Sequence, residues 1–114
     1  MFATTELDAY IDKKGVRLEA QRRELLLSVR QAIQELGREF PMQEAFVFGS
    51  LAHEGRYHDD SDIDVAVSIA PKHFFRLKSR LERDLGRSVD LVDLQEAHFS
   101  HRIRGEGVPC NPGD

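Results

Sequence analysis

Residues 45–69 read AFVFGSLAHEGRYHDDSDIDVAVSI, two apolar runs held apart by a polar loop, and the fold turns on them. Ala45-Phe46-Val47-Phe48 is short and apolar and stops at Gly49, as a buried strand does. Ile63 to Ile69 (IDVAVSI) is apolar and β-branched and is closed by Pro71, which predicts a second strand. Between them, residues 53–61 are polar and contain Gly55, so they form a loop. Downstream, residues 72–85 carry Phe74, Leu77, Leu81 and Leu85 at helical spacing, and Gly86 stands where a left-handed C-cap belongs. VDLVDL at 89–94 is a third strand. Upstream, Leu18, Leu25, Leu26, Val29, Ile33 and Leu36 predict one long helix over 16–40, stopped by Gly37 and Pro41. A short separate helix through Leu7, Tyr10 and Ile11 is expected before Gly15. A short helix is expected over 95–104, followed by a tail or edge strand from Gly105. The result is an α+β fold: a small mixed sheet of three or four strands with helices mainly on one face. One domain is expected over 1–114, with an N-terminal extension at 1–15, a core at 16–94 and a C-terminal helix and tail at 95–114.

The composition agrees with one soluble unit. The chain has 114 residues, 40% hydrophobic and 32% charged, which suits a globular domain with a modest core. Sixteen Lys and Arg against twenty Asp and Glu give a net charge of −4, the wrong sign for gripping a nucleic-acid backbone. No apolar run approaches bilayer length and the start does not read as a signal peptide, so a cytoplasmic protein without membrane contact is expected. A single cysteine, Cys110, excludes an internal disulfide and a cysteine-cluster metal site, and reads as an inert thiol.

The chemistry is concentrated in Phe48-Gly49-Ser50, then Ser61-Asp62-Ile63-Asp64, then Asp90 on the third strand. Gly49-Ser50 ends an apolar strand where a helical turn can begin. Glycine permits a close backbone approach, and the hydroxyl with free amides can hold phosphate oxygens. Asp62 and Asp64, two apart at a strand start, point to one face, and Ile63, Val65 and Val67 to the other. Asp90 joins that face if Leu91 takes the apolar side; Asp93 is its rival. Three carboxylates together repel, each pair by about 4 kcal/mol at 4 Å and an effective dielectric near 20. Divalent cations relieve this, and hard oxygen donors suit Mg²⁺, which prefers partners that carry phosphate. Two ions about 4 Å apart would stabilise both the attacking and the leaving oxygen of a displacement at phosphorus. The residues therefore point to metal-dependent phosphoryl or nucleotidyl transfer.

FGSLAHEGRYHDDSDIDVAV followed by VDLVDL resembles the minimal nucleotidyltransferases of the DNA polymerase β superfamily, whose pattern is Gly-Ser, a spacer, Asp-x-Asp and a third acid one helix later. The likeness covers residues 44–94 and, loosely, the preceding helix. The spacer of residues 51–61 is one longer than the family's usual ten, and Leu51 stands where the family often has arginine or another polar residue. The resemblance implies the antitoxin half of a HEPN/MNT toxin–antitoxin pair, whose active members transfer AMP from ATP to a tyrosine of a HEPN ribonuclease toxin. It assigns Gly49 and Ser50 to the triphosphate, Asp62, Asp64 and Asp90 to Mg²⁺ (two ions), and deprotonation of the acceptor hydroxyl to Asp90. The alternative implied by the longer spacer is a binding module that neutralises the toxin by stoichiometric masking. Transfer to a free small molecule would call for an additional substrate domain, for which 114 residues leave no place.

Other features read as structure. Lys72, Arg76, Arg80, Arg83 and Arg87 are expected on a solvated helix surface. His98 and His101 have helical spacing for two metal ligands but no third ligand. Arg56, Tyr57 and His58 are loop residues beside the site, with substrate contact as the alternative, and Asp59 and Asp60 solvate that loop, with either as a register alternative for the metal ligands. Phe46, Phe48, Phe74 and Phe75 are expected in the core.

Overall fold

The structure, a computed structural model, describes the backbone of residues 2–113 and side chains from Lys13 to Gly113. Its elements are α1 (Phe2–Leu36), β1 (Met42–Phe48), a 3-10 turn (Gly49–Ala52), β2 (Ile63–Ile69), α2 (Pro71–Leu85), β3 (Val89–Asp93), α3 (Ser100–Glu106) and β4 (Val108–Cys110). The strands form one mixed sheet in the order β3-β2-β1-β4. β1 runs antiparallel to both β2 and β4, whereas β2 and β3 are parallel through the α2 crossover. The tail from Gly105 thus supplies a fourth, edge strand.

The period-2 pattern sorts side chains to two faces as the sequence predicts. On one face Val47, Ile63, Val65, Val67, Val89 and Leu91 pack with Val29 and Ile33 of α1 and Leu77 and Leu81 of α2, all at most 7% exposed. Burying such a set is the dominant favourable term of the fold. On the other face Ala66, Leu94 and Ile103 make a smaller cluster with Phe46, Phe48 and Val92 against it. The short α3 packs on this second face through Ile103, and on the same face Asp64 is half-buried and Asp90 exposed.

Three expectations change. The helix does not break before Gly15: α1 is continuous over Phe2–Leu36. A glycine inside a helix costs about 1 kcal/mol, too little to interrupt a ladder of hydrogen bonds that continues on both sides. Leu7, Tyr10 and Ile11 lie outside the residues whose side chains are described. At its other end α1 stops at Leu36, and a turn at 37–39 is closed by the Phe40 amide donating to the Leu36 carbonyl at 2.7 Å. The helix expected over 95–104 starts only at Ser100, because Asp93 Oδ1 accepts from the Gln95 amide at 2.9 Å and starts a turn instead. α2 ends as predicted, with Gly86 at φ 66°.

Candidate active site

Sheet register brings the acidic residues together. Phe48 pairs with Asp64, and Asp64 with Asp90, so β1, β2 and β3 present one row across this second face. Gly49 follows Phe48 directly and turns the chain over this row at φ 71°, a conformation glycine adopts without cost. A Cβ at that position would run into the Asp64 carboxylate. The Gly-Ser turn and the Asp-x-Asp strand are therefore in contact, although residues 51–61 separate them in sequence. Asp62, just before β2, is exposed, Asp64 is half-buried and Asp90 is exposed.

The electrostatics follow from this crowding. Burial, then the charges of Asp90 and Asp62, push the Asp64 carboxyl up from 3.8 to about 6. The Asp90 side chain, as a hydrogen-bond partner, further favours the protonated form of Asp64. Asp93 takes no part: it pairs with Val67 further along the sheet and its carboxylate serves the Gln95 turn. The register thus sets Asp90, and not Asp93, beside Asp64. Among the described residues, no group of three or more His, Cys, Asp or Glu stands close enough to hold a metal ion as the side chains lie. The donor set nonetheless fits a divalent cation in its chemistry. It consists of hard oxygens, and the charges of Asp62 and Asp90 beside Asp64 make this a place where positive charge is favoured.

Two arginines fix the halves of this site. Arg22 of α1, 9% exposed, donates through Nη1 to the Leu51 carbonyl at 3.0 Å and so holds the end of the Gly49–Ala52 turn. Its other nitrogens reach both carboxylate oxygens of Glu19 at 2.7 Å, and this pairing holds the Glu19 carboxyl down at about 2. Leu51 itself is fully buried, which accounts for an apolar residue where the family often has arginine. Arg87, just after α2, donates through Nη2 to the Ser61 carbonyl at 2.8 Å and through Nη1 to the Tyr57 hydroxyl at 3.2 Å. It therefore pins the residue immediately before Asp62. Ser61 reinforces the turn, since its Oγ accepts from the His58 amide at 2.9 Å and its amide donates to the His58 carbonyl at 2.9 Å. Replacing Arg87 by alanine is expected to cost about 1–2 kcal/mol of stability. It should lower turnover about tenfold or more by releasing Asp62, as thermal melting and steady-state kinetics will read.

Several other expectations are revised. Tyr57 is 9% exposed and belongs to the main core, so of the three loop residues beside the site only Arg56 lines the cavity next to Gly49. The basic helix surface is partly engaged: Arg76 lies over the Phe40 ring at 5.6 Å and Arg80 pairs with Glu39 at 2.8 Å. Asp59 faces Arg17 at 3.8 Å. His98 precedes α3, so it does not share a helix turn with His101. Phe46, Phe48 and Phe74 pack against core clusters, but Phe75 is 74% exposed. Cys110 is buried, which pushes its thiol up to about 11 and leaves it inert. Among the described residues, no helix is long and apolar enough to cross a membrane.

Solved structures share this fold. A chain in a crystal structure of a toxin–antitoxin with AMP-PNP is 28% identical over 73% of each chain, with a TM-score of 0.59. The MntA-HepT toxin–antitoxin gives 26% identity over 76% of this chain and 72% of that one, with a TM-score of 0.53. A protein assigned as a minimal nucleotidyltransferase gives 26% identity over 84% of this chain and 95% of that one, with a TM-score of 0.56. No curated protein sequence matches the chain. The family described as Polymerase beta, Nucleotidyltransferase matches residues 30–109, which span β1 to β4 with the whole acidic row. The chain belongs to the polymerase beta nucleotidyltransferase family.

Proposed function

We propose that the protein is an antitoxin that neutralises a HEPN ribonuclease toxin by moving AMP from ATP to a toxin tyrosine. The observation that carries this reading is the registered row of Asp64 and Asp90 under the Gly49 turn. It gives one face with both a phosphate cradle and an acidic cluster. The likeness to chains from toxin–antitoxin structures, one of them holding AMP-PNP, supports the partner and the nucleotide.

Gly49 and Ser50 receive the triphosphate through backbone N–H groups and the serine hydroxyl. Asp62, Asp64 and Asp90 would hold Mg²⁺, two ions by the family pattern. Bound there, the metal neutralises phosphate charge and stabilises the attacking and leaving oxygens. Asp90, on the exposed edge strand, takes the proton of the incoming tyrosine hydroxyl as a general base. The tyrosine oxygen bonds to the α-phosphorus, the bond from that phosphorus to the bridging oxygen breaks, and pyrophosphate leaves with the electron pair. Arg22 and Arg87 keep the turn and the Asp-x-Asp strand in register throughout.

ATP labelled at either the α- or the γ-phosphate tests the reaction type, with Mg²⁺ and the HEPN toxin encoded beside the protein. Label should reach the toxin from the α position only. Label from the γ position, or from neither, overturns transfer of AMP. A second reading, masking without chemistry, draws on the eleven-residue spacer.

A further inference from the structure

β3 is an edge strand, and beside it lies an apolar cleft of about 480 Å³ that the steps above do not use. Leu91 and Val92 line its floor, Phe74 and Phe75 one wall, and Phe99 the other. The two α2 rings meet edge-on with centroids 5.4 Å apart, which leaves Phe75 as the most exposed large apolar side chain among the described residues. Aromatic rings held open to water beside a cleft mark a contact surface.

Charge and position say what covers it. Apart from His98, the ionisable residues lining the cleft are Asp93 and Glu96, and no Lys or Arg lines it. The cleft is therefore acidic at its rim and apolar at its floor. Val92 lies two residues past Asp90 on the same face, roughly 7 Å along the strand. Phe99 is a shared wall: it also lines the cavity of about 200 Å³ beside Gly49, and its ring is 5.9 Å from that of Phe48. Through Phe99 the cleft thus adjoins the cavity beside Gly49. We propose, on the reading that the chain transfers a nucleotide to a protein, that this cleft docks the segment of the partner that carries the acceptor hydroxyl. That segment seats an apolar or aromatic side chain between Phe75 and Phe99 and sets Lys or Arg against Asp93 and Glu96.

The test is the Kd between the purified full chain and the HEPN toxin encoded beside it, for wild type, Phe75→Glu and Glu96→Lys. Both positions are exposed, so each variant should melt and bind ATP as the wild type does. Phe75→Glu is expected to raise Kd at least tenfold. Glu96→Lys should raise it about threefold and reduce its salt dependence. Values for both within about twofold of wild type overturn the proposal. So does a chain that dimerises alone and becomes monomeric with Phe75→Glu, since a second copy then fills the cleft. If wild type binds the toxin but moves no AMP, the transfer reading fails while the Kd of Phe75→Glu still judges the docking surface. A toxin that wild type does not bind at all overturns both.

Discussion

Asp64→Asn should stop nucleotide transfer and, at the same time, make the metal-free protein more stable at neutral pH. The first effect follows from its place at the centre of the acidic row, between Asp90 in register and Asp62 two residues away. On the proposed reading, loss of a carboxylate that would hold Mg²⁺ is expected to lower kcat on the order of a thousandfold or more. The second follows from proton linkage. Folded Asp64 keeps its proton up to about 6, against 3.8 for an ordinary aspartate. Between those values the folded chain binds more protons than the unfolded one, so stability falls as pH rises. The contribution is full below about 4 and is lost as pH climbs through about 6. At pH 7 the ionised group therefore weakens the fold, by on the order of 1 kcal/mol once solvent screening of a half-exposed carboxyl is allowed for. Asparagine carries no charge and removes that penalty. Melting curves at pH 4 and pH 7 without divalent cations should show the variant gaining on wild type only at the higher pH. Added Mg²⁺ should then raise the wild-type melting temperature and leave Asp64→Asn nearly unmoved. A variant that melts below wild type at pH 7 would contradict the crowding of like charges.

Gly49→Ala is expected to harm the same site from the opposite side. The residue sits at φ 71°, where an L-side chain costs about 1–2 kcal/mol. The added methyl also meets the Asp64 carboxylate, so either the turn lifts off the sheet or Asp64 rotates away from Asp90. Both movements separate the Gly49 turn from the acidic row, and displacements near 1 Å at reacting groups cost about a hundredfold in rate. The expected result is a loss of about 100-fold in kcat with a stability loss of about 1–2 kcal/mol. Kinetics and melting on one preparation check it. A variant with wild-type kcat would mean that the turn and the strand act independently.

Much of this was legible before any coordinates. The apolar runs at 45–48 and 63–69 and the Phe74-Leu77-Leu81-Leu85 stripe carry their own periodicity, and each forms the element it predicts. Asp64 and Asp90 could be placed on one face because strand side chains alternate, and the parallel register then sets them side by side. What escaped is what depends on contacts distant in sequence. Arg22 and Arg87 act on backbone carbonyls 29 and 26 residues away, and carbonyls leave no trace in a sequence. Arg22 did leave one signal: it falls at helical spacing within the Leu18, Leu25, Val29 stripe, where a cation needs a buried partner. Tyr57 was hidden by its polar neighbours, since its burial comes from packing under the loop rather than from local pattern. Phe75 was misread for the converse reason. Composition assigns a phenylalanine to the core, and only the geometry of α2 shows that Phe74 takes the inward position while Phe75 faces water.

The central claim is that the acidic row performs chemistry on a protein partner rather than merely shaping a surface that masks it. The intact mass of the HEPN toxin, purified after co-expression with wild type or with the Asp62→Ala/Asp64→Ala double variant, tests this most directly. The toxin's mass should rise by whole AMP units with wild type and stay unchanged with the double variant, which should also fail to neutralise it. An unmodified toxin that both proteins neutralise equally well would contradict it.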